Sequence, residues 1–218
     1  MTLFNYLHDY FYSLDQLAQS VHIGVDSIRA YQNKKMVPLP SYQLNGEYEV
    51  SSFLGIHQDT QRIEFYPKDT VSWLRIIQDL HTSEMAFDAF VCRYQLTVSC
   101  LKKLNNLHNK DYLHTVMLSE NKLREEWNNF LSGSYGVSTR SGLPEDIAAK
   151  DFALEEIRSL LDLDNGVLTL HQIRNRLENA VNLLDEVSAP FAPHERERST
   201  RHQYVDEIRR QYRLELPL

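Results

Sequence analysis

Between Ser13 and Pro40 the chain is punctuated so densely that only short, closely packed helices can form there, and this constrains the fold more than any other feature. Ser13-Leu-Asp-Gln16 is a capping box, with a hydroxyl at the N-cap and a Gln three residues on. It opens a short helix to about Ser20. His22-Ile-Gly24 then makes a tight turn, and Val25, Ile28 and Tyr31 share one face of a helix over 25–33. Pro38 and Pro40 stop it. Upstream, Leu3, Tyr6, Leu7, Tyr10 and Phe11 recur at helical spacing and place a first helix over about 2–11. Downstream, Asn45-Gly46 supplies the two positive-φ positions of a type I′ turn and predicts a hairpin over 41–50. In that register Tyr42 and Tyr48 flank the turn as cross-strand partners. Arg62-Ile-Glu-Phe-Tyr66 alternates as a third strand, and Pro67 suits the first turn of a helix over 68–80.

The remainder reads as helical. A helix capped by Ser83 runs to about residue 107, with Phe87, Phe90, Tyr94 and Val98 in its apolar stripe. A second covers 111–131, with Leu113, Val116, Leu123, Trp127 and Phe130 inward. The Gly/Ser-rich stretch 132–142 is long enough for a lid or a boundary. Helices over 145–163 and 169–187 follow, joined by an Asn165-Gly166 turn, the second opening on the capping box Thr169-x-x-Gln172. The segment 188–193 is rigid and extended, and Ser199 caps a last helix to about Arg213. The expected fold class is mainly α: an N-terminal winged helix-turn-helix with a small β hairpin or wing over 1–80, then an all-α helical domain over 81–218.

A hydrophobic fraction of 42% and a charged fraction of 24% are those of a globular chain. Met1–Tyr12 is broken by Asn5, His8 and Asp9, unlike a signal peptide, and no apolar run is long enough to span a membrane. Cys92 and Cys100 fall in one predicted helix about 12 Å apart along its axis. That exceeds the roughly 7 Å a disulfide bridges, so two buried free thiols in a reducing cytoplasm are expected.

Ser13-Leu-Asp-Gln-Leu-Ala18, Ile23-Gly-Val-Asp-Ser-Ile-Arg-Ala-Tyr31, Met36-Val-Pro38 and Phe65-Tyr-Pro-Lys-Asp-Thr-Val-Ser-Trp-Leu74 together resemble the N-terminus of MerR-type regulators. The resemblance covers about residues 13–80 and implies DNA binding through Arg29, Lys34, Lys35 and Arg62. Two departures oppose that role. The stretch 42–66 is longer than the short Arg-rich wing of that family, with Arg62 as its one basic residue. The first eighty residues also carry six basic against nine acidic residues within a chain of net charge −7, whereas duplex affinity comes mainly from cations neutralising phosphates. Nucleic acid is therefore a disfavoured partner. Tyr6-Leu-x-x-Tyr-Phe11, Val37-Pro-Leu-Pro-Ser-Tyr42, and the tail 189–201 with Tyr204-Val-Asp206 resemble a bacterial family known only as natural-product biosynthesis proteins. That resemblance implies a pathway context and no reaction.

The tail Pro193-His-Glu-Arg-Glu-Arg-Ser-Thr-Arg-His202 is the most unusual stretch. Arg196, Arg198 and Arg201 crowd the start of the last helix, where guanidinium forks and free backbone N–H groups suit a phosphate or carboxylate. Glu195 and Glu197 argue for the alternative, a solvated mixed-charge face. If there is chemistry, it is expected at His194, Glu195, Arg198, Arg201 and Tyr204. No His-x-x-x-His, Cys-x-x-Cys, nucleotide-binding glycine loop or Gly-x-Ser-x-Gly elbow occurs, so no metal site is expected. The leading expectation is a cytoplasmic tailoring enzyme or accessory component of natural-product biosynthesis. Its winged-helix module would hold a small molecule, a peptide, a carrier protein or another partner. A MerR-like regulator with a helical effector domain is the alternative, and a scaffold without chemistry is a third.

Overall fold

The computed structural model describes residues 2–104, 117–162 and 170–214. The Asn165-Gly166 turn, Thr169 of the second capping box, and Leu113 and Val116 lie outside the described residues. The protein is mostly helical with one small three-stranded antiparallel sheet. The order is α1 (Leu3–Tyr10), β1 (Phe11–Ser13), α2 (Leu14–Val21), α3 (Val25–Asn33), β2 (Tyr42–Ser52), β3 (Gly55–Pro67), α4 (Thr70–Ile77) and α5 (Ser83–Leu104). After these come α6 (Glu120–Leu131), α7 (Ser134–Ser138), α8 (Pro144–Leu161) and α9 (Leu170–Val187). A 3₁₀ turn (Arg196–Arg198), a π segment (His202–Asp206) and α10 (Glu207–Tyr212) close the chain.

Local signals set the first elements. The capping box forms, with Ser13 Oγ accepting from Gln16 N at 3.3 Å and Gln16 Oε1 accepting from Ser13 N at 2.9 Å. His22, in the left-handed region at φ 57°, ends α2. The strands lie in the order β1-β3-β2. The expected hairpin is displaced: Asn45 and Gly46 sit inside β2, opposite Arg62 and Gln61, and the chain reverses between Ser52 and Gly55. Gly55 supplies the positive φ, at 126°. Alternation explains the shift. Tyr42, Leu44, Gly46 and Tyr48 share one half-buried face of β2, so Tyr42 and Tyr48 lie on the same face of one strand rather than as cross-strand partners. The Tyr48 ring lies over Gly46, where an added Cβ would come within 3.0 Å of it. That ring supplies the packing the glycine lacks, and the longer register adds ladder hydrogen bonds that a turn at 45–46 would forgo.

The largest core cluster runs from Leu17 to Phe152, so residues on both sides of position 80 share it. Trp73 sits at its centre, fully buried, with Nε1 donating to Met36 O at 2.9 Å and its ring 5.0 Å from that of Phe130. Burying side chains of this size contributes about 1.5–3 kcal/mol each. The stretch expected as a lid or boundary is instead a packed seam. Leu39 N donates to Leu131 O and Ser41 Oγ to Gly133 O, both at 2.8 Å. Gly133 and Gly136 lie so close to Leu39–Ser41 and Pro67 that a Cβ at either would collide. A second cluster packs α8 and α9 against Val205 and Ile208, and a third joins Tyr6, Leu7, Phe11 and Phe65 to Ala192 of the tail.

Two expectations on α5 are corrected. Cys92 and Cys100 are exposed. Phe90, Tyr94 and Val98 point into the core, and residues two positions out of phase with them face away. The cap is Thr82, whose Oγ1 accepts from Met85 N at 3.2 Å, while Ser83 Oγ donates to Lys35 O. No described helix is long and apolar enough to cross a membrane.

Candidate functional site

The tail positions a cleft at the junction of three segments. Ser188 bridges Thr139, and Arg140 N donates to Val187 O at 2.8 Å, which fixes the strand-like start of the tail against the seam. Beyond the extended residues, Phe191 takes a positive φ of 56° and the chain enters the 3₁₀ turn. Ser199 then caps the last helical run as expected. Its Oγ accepts from His202 N at 3.0 Å and donates to Arg196 O at 2.6 Å. Arg196 and Arg201 are thereby brought to one side.

The cleft encloses about 430 Å³ and is lined by Tyr10, Arg140, Asp185, Ser188, Pro190, Arg196, Arg201 and Asp206. Arg201 bonds Asp185 at 2.7 Å and Asp206 at 3.2 Å. Arg209 reaches the other oxygen of Asp185 at 2.7 Å. Burial raises the Asp185 pKa, but the Arg209 hydrogen bond and the Arg201 charge outweigh it and hold the carboxyl below its ordinary value. The Arg140 and Arg196 side chains have no hydrogen-bond or ion-pair partner among the described residues. The hydroxyl of Ser188 is buried and unpartnered. Among the described residues no group of three or more His, Cys, Asp and Glu is placed to hold a metal ion.

The five residues expected to carry chemistry divide among separate surroundings. Glu195 accepts the Tyr42 hydroxyl at 2.6 Å, which ties the tail to β2, and exposed His194 lies 3.8 Å from the same carboxylate. Burial, then the Glu195 hydrogen bond, pushes the Tyr42 phenol up. Arg201 lines the cleft. Tyr204 lies under the Arg158 guanidinium, 5.6 Å away, beside the second core cluster. Arg198 is exposed.

Of the cations expected to read DNA, two flank one carboxylate. Arg29 Nη2 lies 2.6 Å from Glu64, and Arg29 Nη1 also donates to Gln32. Arg62 lies 3.8 Å from the other oxygen of Glu64. Lys34 and Lys35 are exposed past the end of α3. Asp26, Ser27, Ala30 and Asn33 form the exposed positions of α3 itself.

Residues 86–213 match a family described as of unknown function, DUF6058. The chain belongs to the DUF6058 family. No curated protein and no solved structure matches it. All the cleft residues except Tyr10 lie within the DUF6058 match.

The DUF6058 region holds a second polar cluster that sequence reading missed. Tyr94 donates to Asp151 at 2.9 Å, Lys122 lies 3.8 Å from Asp151, and Lys122 also pairs with buried Glu126. Burial and the Asp151 charge push the Glu126 carboxyl up to about 7, against the pull of Lys122. Lys150 donates to Ser138 O at 2.9 Å, and burial lowers its pKa to about 8. Such perturbed groups mark catalytic sites in some folds and structural ion networks in others. Here they bond to one another and to the seam. The one signal in the sequence was charge at positions whose helical phase points inward.

Proposed function

We propose that the N-terminal half is a winged helix-turn-helix turned from reading a duplex to gripping a protein partner, carried on the helical DUF6058 region. The order α1-β1-α2-α3-β2-β3 with an antiparallel sheet fits that plan. The observation that carries the change of ligand is Glu64, one carboxylate that takes up both Arg29 and Arg62. The long hairpin supports the same reading. It presents Glu47, Glu49 and Asp59, and its tip bares Phe53 and Leu54 almost completely, with Ile56 behind them. An acidic arm repels phosphates, while an exposed apolar tip marks a protein contact. Strand β2 lies at the sheet edge, where an extended, basic peptide segment can add a strand. As an accessory or tailoring component of natural-product assembly, the chain would hold a peptide or carrier protein in this way.

A photoreactive benzoyl-phenylalanine in place of Phe53, and separately in place of Lys34, tests the reading in cells. A discrete protein adduct at the arm tip is expected. Nucleic-acid adducts at position 34, with none of protein at position 53, would overturn it in favour of a DNA-binding regulator.

A further inference from the structure

We propose that the cleft between Arg140, Arg196 and Arg201 binds a phosphoryl group carrying two negative charges. Three arginines face two aspartates in its lining, and Arg209 backs Asp185 from outside it. The excess is positive in a chain whose net charge is −7. The roles of the arginines differ. Arg201 is fixed by two carboxylates, so its fork is held in place before any ligand arrives. Arg140 and Arg196 have no partner among the described residues, although each backbone is anchored: Arg140 N to Val187 O and Arg196 N to Ala192 O. Unpaired guanidinium forks on anchored backbone are suited to bidentate capture of phosphate oxygens.

Ser188 is the second, independent observation. It lines the cleft, is 1% exposed, and its hydroxyl has no hydrogen-bond partner. A buried hydroxyl left without a partner is costly, and a small shift of the cleft wall would bring it within reach of a phosphoryl oxygen. The volume, about 430 Å³, admits a small phosphate ester rather than a bare ion alone. A dianion balances the two guanidinium charges left over once Asp185 and Asp206 are neutralised, which favours a phosphate monoester over a single carboxylate. Because Tyr10 comes from α1 and the other lining residues from the DUF6058 region, the ligand would touch both parts.

Calorimetric titration of the full chain with inorganic phosphate, in low-chloride buffer, tests this, with succinate as the dicarboxylate arm. Saturable phosphate binding is expected, tightening from about pH 5.5 to pH 8 as the second proton leaves. Arg140→Ala and Arg196→Ala should each weaken it at least about tenfold. Ser188→Ala should weaken it several-fold without lowering the urea midpoint. Both arginines are exposed and neither side chain makes a hydrogen bond or ion pair with the described residues, so both variants should fold. No saturable heat with the wild-type chain, wild-type affinity in either arginine variant, or succinate binding as tightly as phosphate would each overturn the assignment.

Discussion

Replacing Glu126 with Gln should stabilise the protein above neutral pH while leaving it nearly unchanged in mild acid. The Glu126 side chain is 2% exposed and pairs with Lys122, yet burial and Asp151 raise its carboxyl to about 7 from the ordinary 4.5. The folded chain therefore holds this proton more tightly than the unfolded one. Stability from this group is fully present below about pH 4.5 and declines as pH rises to about 7. Each pH unit is worth about 1.4 kcal/mol, so the loss is roughly 3 kcal/mol. The attraction of Lys122 is already contained in that value, so the Gln variant, which cannot ionise, escapes the whole net loss. Urea unfolding at about pH 4 should give matching midpoints for wild type and variant. At about pH 8.5 the variant should be more stable by roughly 2–3 kcal/mol, a midpoint shift on the order of 1 M. A variant equal to or weaker than wild type at the higher pH would refute the reasoning, because the Lys122 pair would then outweigh the cost of burying the charge.

Gly136→Ala should lower stability by roughly 1–3 kcal/mol in the same assay, since its Cβ would run into Ser41 Oγ and Pro67 at the seam. Lys150 titrates near 8 in the fold against 10.5 ordinarily. The unfolded chain holds that proton more tightly, so stability should rise between those values, and Lys150→Met should abolish that part of the pH profile. Cys92 and Cys100 should both react with a disulfide reagent in native protein, without denaturant. A need for unfolding would contradict the placement of α5.

Signals confined to a few residues were legible in the sequence. The Ser13 capping box and Ser199 at the last helix act through neighbours three residues away. Asn45-Gly46 was misleading because its turn preference is a local term. Pairing along β2, with Tyr48 laid over Gly46, overrode it. The cysteines show how a stripe predicts which residues enter a core without fixing what lies two positions away. Of the cleft, Arg196 and Arg201 were visible as a crowd of arginines in the tail. Arg140 was hidden in a Gly/Ser-rich stretch that looked like a loop, and Asp185 and Ser188 lie at the end of α9 and just beyond it. Long-range packing alone brings them together. The two polar clusters of the DUF6058 region share this property, since neither has a sequence spacing of its own.

Whether the N-terminal half retains any grip on a duplex is measured most directly by fluorescence anisotropy of a labelled duplex. The duplex should carry the sequence upstream of the protein's own gene, and the titration should run between about 50 and 200 mM salt. With Arg29 bonded to Glu64 and Arg62 3.8 Å from the same carboxylate, anisotropy is expected to stay flat into the micromolar range even at the lower salt. Saturable binding that weakens steeply with added salt, and that is lost in Lys34→Ala or Lys35→Ala, would contradict that expectation.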